Sequence, residues 1–401
     1  MKFRREMLWT LVIQGGGAVS VLGLVVVLGA ALGSSAQGLF SRTKAELEFV
    51  SALCLFGMPQ AAFFFVSIGR LSGAAALRLT SALAALAAAL AIVYGGATGS
   101  FRGTSLIAFA IATVLMVTHG MLRVLVLSYS DSRAFNAVTV LPQLMLWPMG
   151  GVLIGLGATD PWYVFAGFAL AFLIGSLSAL AVIRRSANSR LEVDSRPASV
   201  GELLAYGGAA WSVAALNAGA YVLCLRAIES GAGLNDVGVF TMGIVLVQVV
   251  LTPFNYAAPL LFKRWVDSRP GREASVRIAA LSALGASTLA GGLIAIAGPV
   301  SAAGLLGSYS ELGELKWCFG GVAVVEAMIR TMAAIANAHG RPWIPALGET
   351  LRLLALAVAI GFGLVGESSQ ATRAWLLAAA LASAIVLAGV VRISPDTKRS
   401  R

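Results

Sequence analysis

Residues 13–32 read IQGGGAVSVLGLVVVLGAAL, a stretch of twenty positions without a charge. Wound as a helix, such a run rises about 30 Å, the thickness of a bilayer's hydrocarbon core. Its apolar residues are continuous and do not alternate with period two, so it reads as a spanning helix and not as a barrel strand. The rest of the chain repeats the message. Of 401 residues, 58% are hydrophobic and only 12% charged, whereas soluble domains carry about 25% charged residues. That composition excludes a soluble enzyme, which would lack the polar material to coat its surface. It also excludes disorder, because so much apolar surface does not stay in water.

Comparable apolar runs occupy about 8–32, 45–68, 74–95, 104–127, 138–157, 161–183, 203–225, 237–261, 276–299, 316–337, 343–364 and 372–393. The fold class is therefore an all-α polytopic membrane protein of about twelve spans. Lys and Arg fall very unequally between the two sides. Twenty-one lie with the termini and the even-numbered loops, six on the opposite side (Arg42, Lys44, Arg102, Arg226, Lys316, Arg373), and two within spans. Positive charge stays on the cytoplasmic side, so both termini are expected there. The net charge of +11 is thus a topology signal, and no nucleic-acid partner is implied. Cys54, Cys224 and Cys318 sit singly in apolar spans, which argues against disulfides and metal sites. No Walker motif, metalloprotease motif or nucleophile elbow is present, so neither an enzymatic activity nor a cofactor is expected.

The polar stretch at 184–202 follows the sixth span and reads as a cytoplasmic linker. It divides the chain into bundles at 1–183 and 203–393, with a tail at 394–401. The halves echo each other. Gly38-Leu39-Phe40 opens span 2 and Gly238-Val239-Phe240 opens span 8; Pro59 and Pro259 follow at the same spacing, and Gly15-Gly16 parallels Gly207-Gly208. Six spans per half make this a parallel repeat about an axis along the membrane normal, an arrangement suited to alternating access.

The order of these features carries a resemblance. A Gly-rich first span leads through QGLF (37–40) into FGMPQAAFFFVSIGR (56–70), and the second half answers with NDVGVF (235–240) and APLLFKRW (258–265). This resembles the polysaccharide-transporter branch of the multidrug/oligosaccharidyl-lipid/polysaccharide exporter superfamily, the lipid-linked oligosaccharide flippases. The resemblance implies two six-helix bundles in a V and a cavity lined by spans 1, 2, 7 and 8. It further implies a bacterial inner-membrane location and a polyprenyl-pyrophosphate-linked oligosaccharide as cargo, with H+ or Na+ as coupling ions. Alternatives are an H+- or Na+-coupled multidrug antiporter of the same superfamily and a major-facilitator transporter. The stretch GRLSGAAALR between spans 2 and 3 lacks the acid and Arg pair usual in the latter.

Ionisable residues inside spans are the first candidates for function. Glu326 and Arg330 lie i,i+4 on helix 10, and Glu349 and Arg352 i,i+3 on helix 11, at depths that let the four meet. They are candidates for transport or coupling, or for a structural ion-pair cluster. His119 and Arg123 on helix 4 are further coupling candidates. Gln14, Gln60, Asn217, Gln248 and Asn255 are polar candidates for the cavity. Arg70 and Arg264 close spans 2 and 8, where an anionic headgroup would first be met. Spans 1–9 as drawn hold no Asp or Glu at mid-membrane, which weighs against a cation antiporter.

Overall fold

The structure is a computed structural model that describes residues 2–130, 132–157, 160–186, 197–268, 271–302 and 309–392. Most of the linker and the C-terminal tail lie outside these residues, as do the side chains of 2–8, 11, 132, 209–210, 255–268 and 296–302. Among the described residues the structure is all-helical: α1 Lys2–Leu55, α2 Met58–Ser67, α3 Gly73–Thr98, α4 Thr104–Tyr129, α5 Ser132–Leu156, α6 Pro161–Ser186, α7 Val200–Ala232, α8 Leu234–Ser268, α9 Arg272–Ala302, α10 Leu312–Ala338, α11 Trp343–Gly361 and α12 Ser368–Val391. Eleven of these are long and apolar enough to cross a membrane.

The first of them is two spans. Its apolar part, Val12–Leu55, would rise about 66 Å if straight, twice the hydrocarbon thickness. Gly33 breaks it, with φ 83° and ψ 173°, a backbone that a side chain would strain. The contacts on either side of the break run in opposite senses. Gly17 meets Val140 and Gln143, and Gly23 meets Trp147, so the first half rises alongside α5. Beyond Gly33 the order reverses against α7: Arg226 bonds Glu46, Trp211 bonds the Leu53 carbonyl, and Gly207 abuts Gly57. With α1 counted as two spans, twelve spans result.

The structure corrects one boundary in a way that matters for function. Residues 34–44, expected as a loop with span 2 starting at 45, are helical. Their charges neutralise one another one turn apart: Arg42 pairs with Glu46 at 3.3 Å and Lys44 with Glu48 at 2.6 Å. Such i,i+4 pairs favour helix and reduce the cost of carrying charge into the bilayer. Span 2 breaks lower down, where Phe56 (φ 44°) and Gly57 (φ 66°) take the left-handed conformation. Pro59 then falls in the first turn of α2, where its missing N–H costs nothing.

The two largest apolar cores correspond to the two bundles. One gathers Phe101, Phe109, Phe165 and Phe168 from the N-terminal half, the other Phe240, Phe319 and Trp375 from the C-terminal half. Between them α1 packs on α8 and α7, and α2 on α7. A clasp joins the halves beside the linker. Arg70, one of the two headgroup candidates, donates to both carboxylate oxygens of Glu202 at 2.9 Å, and its carbonyl accepts from the Ala198 N–H. Ser199 and Glu202 cap α7 reciprocally. The Ser199 backbone N–H and then Arg70 hold the Glu202 carboxyl down to about 2. A depressed acid stabilises at pH above its ordinary value of 4.5 and loses that contribution as pH falls toward 2. The thermal midpoint of Glu202→Gln should therefore lie below wild type at neutral pH and converge on it in strong acid. Equal midpoints at pH 7 would remove the clasp from the account.

Candidate functional site: a charged cavity between the bundles

At the end of the molecule bearing Gly33, called the outer end after the charge asymmetry, the bundles touch backbone to backbone. A Cβ on Gly38 would land on the Leu234 carbonyl oxygen, and one on Gly238 on the Ser34 carbonyl oxygen. The two contacts are reciprocal, since Ser34 and Leu234 stand four residues before the repeated glycines. Around them Ser34 bonds Asn235, Gln37 donates to Thr241 at 3.4 Å, and Tyr309 donates to Gln37 at 2.5 Å.

Below this closure the bundles part around a cavity. On the N-terminal side about 1150 Å³ of empty space is lined by Leu22, Lys44, Glu48, His119, Arg123 and Thr139, with Gln248 and Thr252 of α8 opposite. On the C-terminal side about 1020 Å³ is lined by Lys44, Glu48, Asn217, Gln248, Glu326 and Arg330. Lys44 and Glu48, which sequence reading placed on the outer side, lie about 16 and 22 Å below the Gly33 kink at a rise of 1.5 Å per residue. Hydropathy hides them, because a charge run between apolar stretches looks like a loop. The i,i+4 pairing was the available signal.

The four charges of helices 10 and 11 do meet. Arg352 is completely buried and pairs with Glu326 at 2.7 Å and Glu349 at 3.5 Å, while its guanidinium lies 5.7 Å from the Trp375 ring centre. Asn217 donates to Glu349 at 3.3 Å, tying α7 to α11. Arg330 stands 4.0 Å from Glu326 and donates to Gln248 at 3.4 Å. Arg352 and Glu349 thus form the back wall, and Glu326 and Arg330 face the cavity.

Across the cavity His119 and Arg123 repeat the i,i+4 spacing of Glu326 and Arg330, on α4 and α10, the fourth and tenth spans. Arg123 lies about 9 Å and Arg330 about 12 Å from the inner ends of their helices, so two cations on equivalent helices oppose each other at similar depth. His119 is buried against Gly175.

The remaining polar candidates divide. Gln14 is buried and donates to Asn136 at 2.6 Å, holding α1 on α5. Gln60 is exposed on α2. Asn217 and Gln248 line the cavity. The side chains of Asn255 and of the headgroup candidate Arg264 lie outside the described residues. Sequence reading missed the buried Glu46, and its premise that spans 1–9 lack an acid falls with Glu46 and Glu48.

No family model and no curated protein matches the chain. Solved structures do. An inward-facing multidrug resistance MATE transporter of the MOP superfamily superposes with TM-score 0.70 at 13% identity, over 94% of this chain and 93% of that one. The lipid II flippase MurJ in an inward closed conformation gives 0.67 at 9% identity, over 96% and 87%. A MOP superfamily transporter from Pyrococcus furiosus, described as having a binding pocket of reverse polarity, gives 0.63 at 13% identity, over 96% and 93%. The chain has the V-shaped, two-bundle, twelve-span fold of these transporters.

Proposed function

We propose that the protein moves an anionic amphiphile, a polyprenyl-pyrophosphate-linked oligosaccharide, across the bacterial inner membrane by alternating access. The observation that carries this reading is the pair of facing cations, Arg123 and Arg330, with Lys44 between the two halves of the cavity. The lining carboxylates have basic partners, Glu48 in Lys44 and Glu326 in Arg352 and, at 4.0 Å, in Arg330. Three cations against two acids line the space, a balance that suits phosphate better than a cationic drug. The amides of Asn217 and Gln248 offer the neutral hydrogen bonds that sugar hydroxyls need. A polar cavity removes the cost of stranding such groups in hydrocarbon, several kcal/mol for each.

Binding of polyprenyl pyrophosphate to the purified protein, read by native mass spectrometry against the uncharged polyprenol and against ethidium, tests this. Each of Arg123→Gln and Arg330→Gln should weaken pyrophosphate binding about 10-fold or more, since a hydrogen bond to a charged group contributes about 1.5–3 kcal/mol. The uncharged polyprenol should be unaffected. Preferential binding of ethidium, or wild-type pyrophosphate affinity in both variants, would move the reading to the multidrug antiporter.

A further inference from the structure

On the far side of α8 from the charged cavity lies a second hollow, for which the cargo has no use. α8 and α9 both pack on α10 but touch each other little among the described residues. Between them an apolar slot of about 800 Å³ runs down α10 from Tyr309 and Leu312 at the outer end to Ala323. Its floor is one face of α10, Gly313, Lys316, Gly320 and Ala323, at the three- and four-residue spacing of a helical stripe. Leu246 and Val250 of α8 form one wall, and Leu293 and Ile294 of α9 the other. Glycine keeps the floor low. A Cβ at Gly313 would meet no described neighbour within 4 Å, whereas one at Gly320 would come within 3.1 Å of Ile294 Cδ1. Among the described residues Val247 alone lines both spaces, so α8 divides the slot from the cavity.

Length and charge together select an occupant. From Leu312 to Ala323 α10 rises about 16 Å, half of the roughly 30 Å of bilayer hydrocarbon and therefore the depth of one leaflet. Lys316, exposed one turn below the helix start, is the only charged side chain among the described residues that line the slot. No described carboxylate pairs with it. Trp317 beside it is 71% exposed, and a Trp and a Lys near the end of a spanning helix mark the headgroup level. The neighbouring polar groups are committed or turned away. The Tyr309 hydroxyl donates to Gln37 across the outer closure, and Glu311 accepts from the Ser368 hydroxyl at 3.0 Å. Glu314 stands two residues before Lys316, which puts it on another face of α10.

We propose that this slot is a binding site for an anionic phospholipid of the outer leaflet, with one acyl chain between α8 and α9 and the phosphate on the Lys316 ammonium. The lipid is a resident of the C-terminal bundle, so the inference goes beyond the cargo assignment and holds whatever occupies the cavity.

The test is photolabelling of the purified protein in detergent by phosphatidylglycerol carrying a diazirine in its acyl chain, with the labelled peptides identified by mass spectrometry. Label should fall on the stretches 246–250, 290–294 and 312–323. Unlabelled phosphatidylglycerol should compete for these stretches about 5-fold better than phosphatidylcholine of the same chains, the preference that one interfacial Lys gives an anionic headgroup. Lys316→Gln should erase that preference and Lys316→Arg should keep it. Gly313→Leu, which puts a side chain into open space on the slot floor, should reduce labelling of all three stretches. Labelling should be unchanged in Arg123→Gln, the variant that tests the cargo assignment, so the two proposals fail separately. Label absent from these stretches, a preference retained by Lys316→Gln, or labelling lost in Arg123→Gln would each overturn the proposal. Competition by polyprenyl pyrophosphate at lower concentration than by phosphatidylglycerol would overturn it too, by giving the slot to the cargo's tail.

Discussion

Replacing Arg352 by leucine is expected to destabilise the C-terminal bundle by about 3–5 kcal/mol, the cost of stranding a buried ion's partners. Arg352 is fully buried, and Glu326 and Glu349, about one-twentieth exposed, have it as their nearest cation. Leucine would fill much of the volume but leave two carboxylates facing one another in a low-dielectric wall. They would have to take up protons or admit water. The triple change to leucine at Glu326, Arg352 and Glu349 removes charge and counter-charge together and should recover most of the loss, because a buried ion pair is often no more stabilising than apolar residues of its volume. Thermal unfolding in detergent, followed by size-exclusion fluorescence, reads both. If Arg352→Leu is as stable as the parent, the cluster is not the wall that the geometry describes.

This cluster was largely legible in the sequence. Its i,i+4 and i,i+3 spacings put each pair on one helix face, and the depth of each residue followed from the helix rise. The partner Asn217 was legible only as a polar residue in a span, because its bond to Glu349 joins positions 132 apart in the chain. The same limit explains the misplaced charges of span 2. Arg42, Lys44, Glu46 and Glu48 read as an outer loop because hydropathy averages along the chain. Half of their neutralisation arrives from α7, nearly two hundred residues on. Gln14 went the other way. It resembles a cavity amide by position, but Asn136 claims it within the N-terminal bundle. Local pattern gave the spans and the repeat; long-range pairing decided which polar residues face the cavity.

The second large effect concerns the repeat itself. Gly238→Val is expected to prevent closure of the outer end and to trap the protein open to that side. The reason is geometric. The Gly238 Cα lies against the Ser34 carbonyl and the Gly38 Cα against the Leu234 carbonyl, so any Cβ at either position meets backbone, which cannot swing aside as a side chain can. Overpacking of this kind costs about 1–3 kcal/mol, enough to shift a two-state population about 5- to 150-fold. The readout is outside labelling of a cysteine placed at Gln37, which is buried beneath the contact by Thr241 and Tyr309. Its modification should accelerate at least several-fold in Gly238→Val and cargo movement should stop. Gly16→Ala, with no described neighbour within 4 Å of its Cβ, should leave both unchanged. The double variant Gly38→Val/Gly238→Val should add little to either single change, because both obstruct one crossing and one blocked crossing suffices. Additive effects would mean that the two glycines act at separate contacts and that their match across the repeat is incidental. Unchanged labelling in Gly238→Val would mean that the outer end opens elsewhere.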